Sequence, residues 1–273
     1  MYTKLRHFAG LTKQNFLRKN DIPHNLRKFQ GRLLGPLPLR PDDYEKSIEI
    51  IIPCYNHASY LPNAIQSIVD QTWKYFPVLV TMINDNSTDE TEQICKQVMR
   101  QQYPNLLFKY VKNKENLRQW ASINHAISLS DNELIIILND DDLLTADCLE
   151  KVLVTFTHYP DIFMVGGSSI WFQEKIPKHR LKDFADVAVR EYLPSEVRRY
   201  RALNDLNMTH SSTAFFKTAW KYVGGYRDRP MRIHSEANED RDFQLRVGAV
   251  FPVAVLDYPL AYWRTDSSHG KDF

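Results

Sequence analysis

The chain has 273 residues, 43% of them hydrophobic, and its 35 Lys and Arg against 33 Asp and Glu give a formal net charge of +2. This composition can form a buried core and excludes an intrinsically disordered protein. No stretch reaches the roughly 20 uninterrupted apolar residues of a membrane-spanning helix, and no apolar segment typical of a secretory signal begins the sequence, so we predict a cytoplasmic protein.

The first 46 residues form a basic segment with ten Lys or Arg against four Asp or Glu. The segment ends in a proline-rich stretch, at Pro36, Pro38 and Pro41, that is typical of a linker. We therefore predict a basic amino-terminal arm at residues 1–46 and one domain at residues 47–273. Apolar residues at loose helical spacing predict a helix in the arm. That helix either packs on the domain, which we favour, or makes a peripheral contact with the inner face of an anionic membrane.

After the arm, β-branched runs alternate with amphipathic segments. We predict strands at IEIIIPC (48–54), VLVTMIN (78–84), LLFKYV (106–111) and ELIIIL (133–138), separated by helices at 61–72, 91–99 and 119–130, with a further helix at 146–156. Ser87 opens a Ser-x-x-Glu capping box for the second helix, and Thr145 is the predicted cap of the fourth. Near-continuous apolar strands separated by helices predict an α/β fold with a single, mainly parallel, Rossmann-like sheet flanked by helices.

The three cysteines, without CxxC spacing, are predicted to be reduced structural thiols.

Polar loops follow three of the predicted strands. The first strand ends in Pro-Cys-Tyr-Asn (53–56), the second in Asn-Asp-Asn-Ser-Thr-Asp (84–89) and the fourth in Asn-Asp-Asp-Asp (139–142). Ligands of parallel sheets bind at this edge. Three adjacent carboxylates raise one another's proton affinity unless a cation or a donor-rich ligand lies among them. The alternative is a solvated acidic turn before the next helix.

The glycine content restricts the class of ligand that these loops can bind. No GxGxxG follows the first strand, no Walker loop is present, and the chain has only nine glycines, which argues against a dinucleotide-binding site. The charge of a nucleotide diphosphate bound here would have to be met in another way. A divalent cation held by carboxylate oxygens can do so, and the sequence therefore predicts Mn²⁺ or Mg²⁺.

Five segments, taken together and in order, resemble family 2 glycosyltransferases of the GT-A fold. They are IIIPCYNHASYLPNAIQSIVDQT, INDNSTDET, LNDDDLL, FFKTAWKYVGGYRD and NEDRDFQLRV, and the resemblance extends over about residues 47–266. It implies inverting, metal-dependent transfer of a sugar from a nucleotide-sugar donor, commonly a uridine diphosphate sugar. The acceptor would be a hydroxyl of a saccharide or of a lipid-linked glycan in polysaccharide biosynthesis.

The resemblance assigns nucleotide contacts by position. Pro53 and Tyr55 would lie against the base, and Asp85 would accept a hydrogen bond from its imide nitrogen. Arg118 would contact the nucleotide, with a surface or salt-bridge role as the alternative. Asp141 would face the ribose and the diphosphate.

The resemblance also implies a metal site. Asp142 would ligate the metal, and Asp140 would be a second-shell or alternate ligand. In the carboxyl-terminal tail, His269 could complete the coordination, or His269 or Arg264 could fold over the diphosphate; a solvated tail is the alternative. Asn139 stands where the family commonly has Asp, which leaves the ribose contact open.

Inverting transfer needs one base on the acceptor side. Glu239 and Asp240 open a segment whose apolar residues fit one helical face, which leaves the acidic pair at the amino end of the helix and facing the cleft. The resemblance assigns the base to Asp240, with Glu239 orienting it or binding the acceptor. A favourable charge at a helix amino terminus is the alternative. His210 is the next candidate base, with a buried structural histidine as its alternative.

Two other classes of function are weighed against this one. A nucleotidyltransferase would carry a phosphate loop rich in Gly and Arg after the first strand, where this chain has Tyr-Asn-His-Ala-Ser. A non-catalytic nucleotide-sugar or glycan binding module is expected to have lost the base or the metal carboxylates, and both are present. Basic residues are not interleaved with aromatic ones along one element, so we predict no nucleic-acid partner.

Overall fold

The computed structural model describes residues 48–73, 76–179, 181–198, 206, 208–228, 232–233, 236–237 and 239–267. The predicted arm at 1–46 and the tail with His269 lie outside the described residues, so the proposed boundary and the proposed role of His269 remain predictions. Among the described residues, no helix has the length and apolar character needed to cross a membrane.

The strands of the described chain include all four predicted ones. They are β1 Ile48–Cys54, β2 Val78–Asn84, β3 Leu106–Lys112, β4 Leu134–Ile137, β5 Leu143–Leu144, β6 Met164–Phe172, β7 Val189–Tyr192, β8 Ala214–Phe216, β9 Arg232–Ile233, β10 Glu236–Ala237 and β11 Val253–Arg264.

The helices lie between these strands. They are α1 Leu61–Val69, α2 Thr91–Val98, α3 Gln119–Ser128, α4 Cys148–His158, α5 Pro194–Val197, α6 Lys217–Val223 and α7 Glu239–Gly248.

Nine of the described strands form one sheet in the order β3-β2-β1-β4-β8-β6-β11-β5, with β7 pairing with β11, while β9 and β10 form a separate hairpin. Pairings among β1, β2, β3 and β4 are parallel, as is that of β6 with β11. By contrast, β5, β7 and β8 run antiparallel to their neighbours. The predicted α/β fold with a single sheet is confirmed. The antiparallel strands come from the part of the chain after residue 142, where strands and helices no longer alternate strictly.

The core lies against both faces of the central strands. All residues of β1 and β4 are buried, because a parallel strand in the middle of such a sheet has helices on both sides. Helix α1 buries Leu61, Ile65 and Ile68 on one face, as its 3.6-residue pattern predicts. This packing holds the carboxyl ends of β1, β2 and β4 side by side.

The capping prediction at Ser87 is wrong. Helix α2 begins at Thr91, and the Asp89 carboxylate accepts hydrogen bonds from the Thr91 backbone N (3.0 Å) and Oγ1 (2.6 Å). Ser87 Oγ instead accepts from the backbone N of Asn56 at 3.1 Å, and so ties the loop after β2 to the loop after β1. Thr145 does not cap α4 with its side chain either, since its hydroxyl donates to the Pro259 carbonyl and Asp147 holds the N-cap position.

Candidate active site

The loops after β1, β2 and β4 are joined by hydrogen bonds at one edge of the sheet. The backbone N of Tyr55 donates to Asp140 Oδ2 at 3.0 Å, and the backbone N of Ala58 donates to Asp89 Oδ2 at 2.9 Å. The carboxyl ends of parallel strands are the usual ligand edge of such sheets. Polar residues that are 31 and 85 positions apart in the sequence are therefore in direct contact at this edge.

Asp140 forms a buried pair with His57. Its Oδ1 lies 2.8 Å from His57 Nδ1, and Asp140 itself is only 4% exposed. Burial raises the pKa of Asp140, and the nearby Asp141 adds to the rise, against the lowering effect of His57. Burial lowers the pKa of His57, but the hydrogen bond and charge of Asp140 outweigh it and leave that pKa raised. His57 is thus held against Asp140 by a hydrogen bond at the edge of the aspartate loop.

Asp141 completes the group that could hold a metal ion. One ligand atom from each of His57, Asp140 and Asp141 lies within 4.8 Å of the other two. Carboxylate oxygens suit Mg²⁺ and Mn²⁺, and an imidazole nitrogen extends the set to softer divalent metals. The donor set therefore fits the predicted cation. Sequence reasoning missed His57, although its position three residues after Cys54, where β1 ends at this edge of the sheet, was a usable signal.

Asp142 has a different environment from its two neighbours. It is fully buried, and its Oδ2 accepts from Ser211 Oγ at 2.5 Å and from Asn139 Nδ2 at 3.3 Å. Its Oδ1 accepts from the backbone N of Arg264 at 2.9 Å. These bonds tie the aspartate loop to β11 and to the segment before β8. The group of His57, Asp140 and Asp141 does not include Asp142, whose predicted role as a metal ligand stays a prediction.

Arg264 supplies a fixed positive charge behind the three aspartates. Its guanidinium lies between the rings of Tyr60 and Phe172, with Cζ 4.5 and 4.4 Å from the ring centroids. Its Nε donates to the Asp141 carbonyl at 3.1 Å, and Nη1 donates to the Gln173 carbonyl at 3.0 Å. The side chain is 8% exposed. This placement holds the loop in shape, and the predicted role of Arg264 over a diphosphate stays a prediction.

Asp85 lies at the end of β2 in a buried polar network. Its Oδ1 accepts from Asn113 Nδ2 at 2.7 Å and from the backbone N of Leu117 at 2.8 Å. Asn113 also donates to Ser122 Oγ at 2.8 Å and contacts His125 Nδ1 at 2.8 Å. The network fixes the carboxylate at the sheet edge. Asn113 was not predicted, because its role depends on a residue 28 positions away.

The other predicted nucleotide residues lie at the same edge. Pro53 is buried within β1, and Tyr55, directly after the strand, is 38% exposed. Arg118 is exposed at the N-cap of α3 with φ 70° and ψ 162°. This combination is strained for a residue with a side chain, and such strain is often found at functional sites.

Glu239 and Asp240 form the first turn of α7, as predicted. Both are half-buried. Burial and then the charge of Asp240 raise the pKa of Glu239 to about 7, against the lowering effect of Arg118. That electrostatic coupling connects the acidic pair with Arg118 at the start of α3. The structure therefore gives the pair one carboxyl group that titrates near neutral pH.

His210 is buried behind this region. Its Nε2 lies 3.2 Å from the hydroxyl of Tyr226, and burial lowers its pKa despite the charge of Asp240. It directly precedes Ser211, which binds Asp142. A buried imidazole hydrogen-bonded to a tyrosine matches the structural alternative for His210.

Comparison with known proteins gives consistent results. A family model described as glycosyl transferase family 2 matches residues 49–222. The minor teichoic acid biosynthesis protein GgaB of Bacillus subtilis is 30% identical over 141 residues, which are 51% of this chain and 15% of GgaB. An uncharacterized glycosyltransferase of Methanocaldococcus jannaschii, MJ1057, is 28% identical over 171 residues, which are 58% of each protein. The chain thus spans less than two thirds of these relatives.

Solved structures show the same fold. S. aureus TarS 1-349, in complex with UDP-GlcNAc, superposes with a TM-score of 0.63 at 17% identity, over 83% of this chain and 61% of that one. The mannosyltransferase PcManGT from Pyrobaculum calidifontis, in complex with GDP-Man and Mn²⁺, superposes with a TM-score of 0.58 at 17% identity, over 89% and 64%. At this identity the likeness establishes the GT-A fold alone.

Proposed function

The chain belongs to glycosyl transferase family 2, and we propose on that basis that it transfers a sugar, with inversion, from a nucleotide-sugar donor to a hydroxyl of a saccharide or glycolipid acceptor. The observation that carries this proposal is the meeting of three strand-end loops in which Asp140 and Asp141 lie beside His57. The charge of Arg118 at the nucleotide side reaches Glu239 at the start of α7, which supports one continuous cleft.

On the donor side, we assign base recognition to Asp85, Pro53 and Tyr55. Asn113 and the backbone N of Leu117 hold one oxygen of Asp85, so the carboxylate is fixed before the ligand arrives. A carboxylate accepts a hydrogen bond from the imide N–H of uracil, which favours a uridine diphosphate sugar. The exposed ring of Tyr55 can cover a face of the base.

We assign the divalent cation, Mn²⁺ or Mg²⁺, to His57, Asp140 and Asp141. When bound, such a cation neutralises charge on the diphosphate and stabilises it as the leaving group. This assignment moves the main metal contact from Asp142 to Asp141, because both oxygens of Asp142 accept hydrogen bonds from the protein. Asp142 becomes a positioning residue that orients the loop.

On the acceptor side, we assign the base to Asp240. It would take the proton of the acceptor hydroxyl while that oxygen attacks the anomeric carbon from the side opposite the diphosphate. Glu239 would orient the acceptor or Asp240. The amino terminus of α7 holds both carboxyl groups on a rigid element, which favours a fixed distance to the reacting oxygen.

A donor screen tests the proposal without knowledge of the acceptor. Purified protein is incubated with UDP-linked and GDP-linked sugars and Mn²⁺, and slow hydrolysis to the free nucleotide is measured. We expect one donor to be hydrolysed, and a chelator or Asp141→Asn to reduce the rate by about 10²-fold or more, as expected when leaving-group stabilisation is lost. The matched variant Asp142→Asn should mainly lower thermal stability.

The outcomes separate the proposal from its alternative. Equal hydrolysis with and without chelator would contradict the metal assignment. Donor binding by calorimetry without hydrolysis of any donor or transfer to any glycan would favour the non-catalytic binding module.

A further inference from the structure

Two exposed tryptophans stand side by side where β6 and β11 end. Trp171 and Trp263 are directly paired across these parallel strands, and their ring centroids are 5.4 Å apart at an interplanar angle of 85°. Trp171 is 68% exposed and Trp263 is 39% exposed. Leaving two indole rings in water forfeits the free energy that their burial would contribute, so an exposed pair indicates a binding surface.

Trp171 borders an open groove with polar groups, and Trp263 lies beside Trp171. A cavity of about 510 Å³ is lined by Trp171 together with Gln173, Glu174, Lys175 and Thr265, among others. Its lining has one carboxylate and one ammonium group, so its formal charge is zero. An aromatic wall with hydrogen-bonding groups beside it and no net charge suits a molecule with an apolar C–H face and hydroxyl edges. A neutral sugar ring has this chemistry, whereas an anionic headgroup would require an excess of basic residues.

Hydrogen bonds tie the backbone beside this groove to the candidate active site. The residue after Trp263 is Arg264, whose backbone N donates to Asp142 and whose Nε donates to the Asp141 carbonyl. Arg264 Nη1 donates to the Gln173 carbonyl, and the backbone N of Thr265 donates to the Phe172 carbonyl at 3.0 Å. The backbone that carries the tryptophans is therefore fixed directly to the aspartate loop.

We propose that Trp171 and Trp263 form a stacking platform for a sugar ring of the acceptor, one or more units away from the hydroxyl that reacts. This inference rests on the proposed transferase function for its assignment to the acceptor. Trp171, the more exposed ring, would stack on the apolar face of the sugar, and Trp263, whose ring is at 85° to it, would contact the edge of the sugar. Gln173 and Glu174 would bind the hydroxyl groups of the sugar. A platform of this kind would bind saccharide chains in the absence of a donor nucleotide.

Glycan binding tests the platform directly. The chain of 273 residues is applied to an array of neutral, N-acetylated and acidic oligosaccharides, and the soluble glycan with the strongest signal is then titrated. We expect Trp171→Ala to weaken binding at least tenfold, as truncation of an aromatic anchor does at a binding hot spot. Trp171→Phe keeps a ring and should stay within about threefold of wild type. Leu107→Ala, at an exposed apolar residue of β3 on the far edge of the sheet, is the matched control and should bind as wild type does.

Two results would overturn the platform. One is that the protein binds no glycan on the array. The other is that wild type and Trp171→Ala have equal glycan affinity, with thermal unfolding showing that the variant is folded. Ile176, 54% exposed in the next loop, adds apolar surface, so co-sedimentation with phosphatidylcholine–phosphatidylglycerol vesicles is measured as well. Vesicle binding that is lost with Trp171→Ala, without glycan binding, would assign the surface to lipid.

A separate measurement, donor hydrolysis, tests the proposed transferase function. Donor hydrolysis by the wild-type protein reports on the nucleotide side alone. Glycan binding that depends on Trp171, with no hydrolysis of any donor, would keep the platform and remove the catalytic function. Donor hydrolysis together with glycan binding that does not depend on Trp171 would keep the catalytic function and remove the platform.

Discussion

At the scale of single residues, Asp240 is the position on which the proposed chemistry depends most. Asp240→Asn keeps the size and hydrogen-bonding reach of the side chain but removes its basicity. We expect transfer to fall by about 10² to 10⁴-fold, the usual contribution of a general base. Donor affinity, measured by calorimetry, should stay close to that of wild type, because the proposed donor contacts lie with Asp85 and Asp141 on other loops.

Glu239→Gln is the matched control for Asp240→Asn. It should cost less if Glu239 only orients its neighbour or the acceptor. An inactive Glu239→Gln beside a nearly wild-type Asp240→Asn would move the base back by one residue. Full activity of both variants would favour a role of the pair in stabilising the amino terminus of α7.

The raised pKa of Glu239 predicts a pH dependence of transfer. Its value of about 7 means that Glu239 is protonated below neutral pH and negatively charged above it. In its charged form Glu239 can only accept hydrogen bonds, so it can hold the hydroxyl groups of the acceptor that it is proposed to orient, and protonation removes part of that capacity. Transfer should therefore increase as the pH rises through about 7, and this step should be missing from the profile of Glu239→Gln. Identical profiles from pH 5.5 to 8.5 would contradict the prediction.

At the scale of elements, the orientation of α7 depends on one buried ion pair. Arg246 is fully buried, and its Nε donates to Asp242 Oδ2 at 2.7 Å. Its Nη1 and Nη2 donate to the carbonyls of Val223 and Gly225, at the end of α6, at 2.8 and 2.6 Å. Burial lowers the pKa of Arg246 to about 10, so it remains charged at neutral pH. The pair fixes the helix that carries Glu239 and Asp240.

Removing one partner of that pair should destabilise the protein strongly. Arg246→Met leaves the Asp242 carboxylate buried without its cation, at a cost of about 3–5 kcal/mol in the free energy of unfolding. Urea denaturation measures this loss in the free energy of unfolding. The double variant Asp242→Asn with Arg246→Met should be less destabilised than the sum of the single variants, because no charge is then left buried. A single variant within about 1 kcal/mol of wild type would show that the pair does not hold α7.

At the scale of the whole molecule, the strand pairing of the sheet predicts that the domain folds without most of the basic arm at residues 1–46. Strand β1 begins at Ile48 and pairs on both sides, with β2 and β4, so the described part of the chain contains a sheet with its centre in place. A protein lacking residues 1–40 should therefore unfold in one cooperative transition, as single domains do. Loss of cooperative thermal unfolding in the truncated protein, monitored by circular dichroism, would show that the arm is part of the core.

Local sequence was sufficient for the first half of the fold. Strands β1 to β4 and helices α1 to α4 followed from hydrophobic periodicity, since each buries its own repeating face. The convergence of the loops after β1, β2 and β4 followed too, because parallel strands bring their carboxyl ends to one edge. The antiparallel strands β5, β7 and β8 did not follow. They have two to four residues each and exist through partners far away in the chain, which no local pattern records.

Within the candidate site, sequence alone determined that carboxylates would cluster, and tertiary structure decided what each one contacts. Asp141 and Asp142 are adjacent and chemically identical. They differ because Ser211, 69 residues away, and the Arg264 backbone amide, 122 residues away, reach one of them. His57 joins the cluster only because β1 and β4 are neighbours in the sheet, which brings it to Asp140, 83 residues further on. A hydrogen bond forms only between groups within about 3 Å of each other. These contacts therefore depend on how the chain folds and cannot be deduced from the order of its residues.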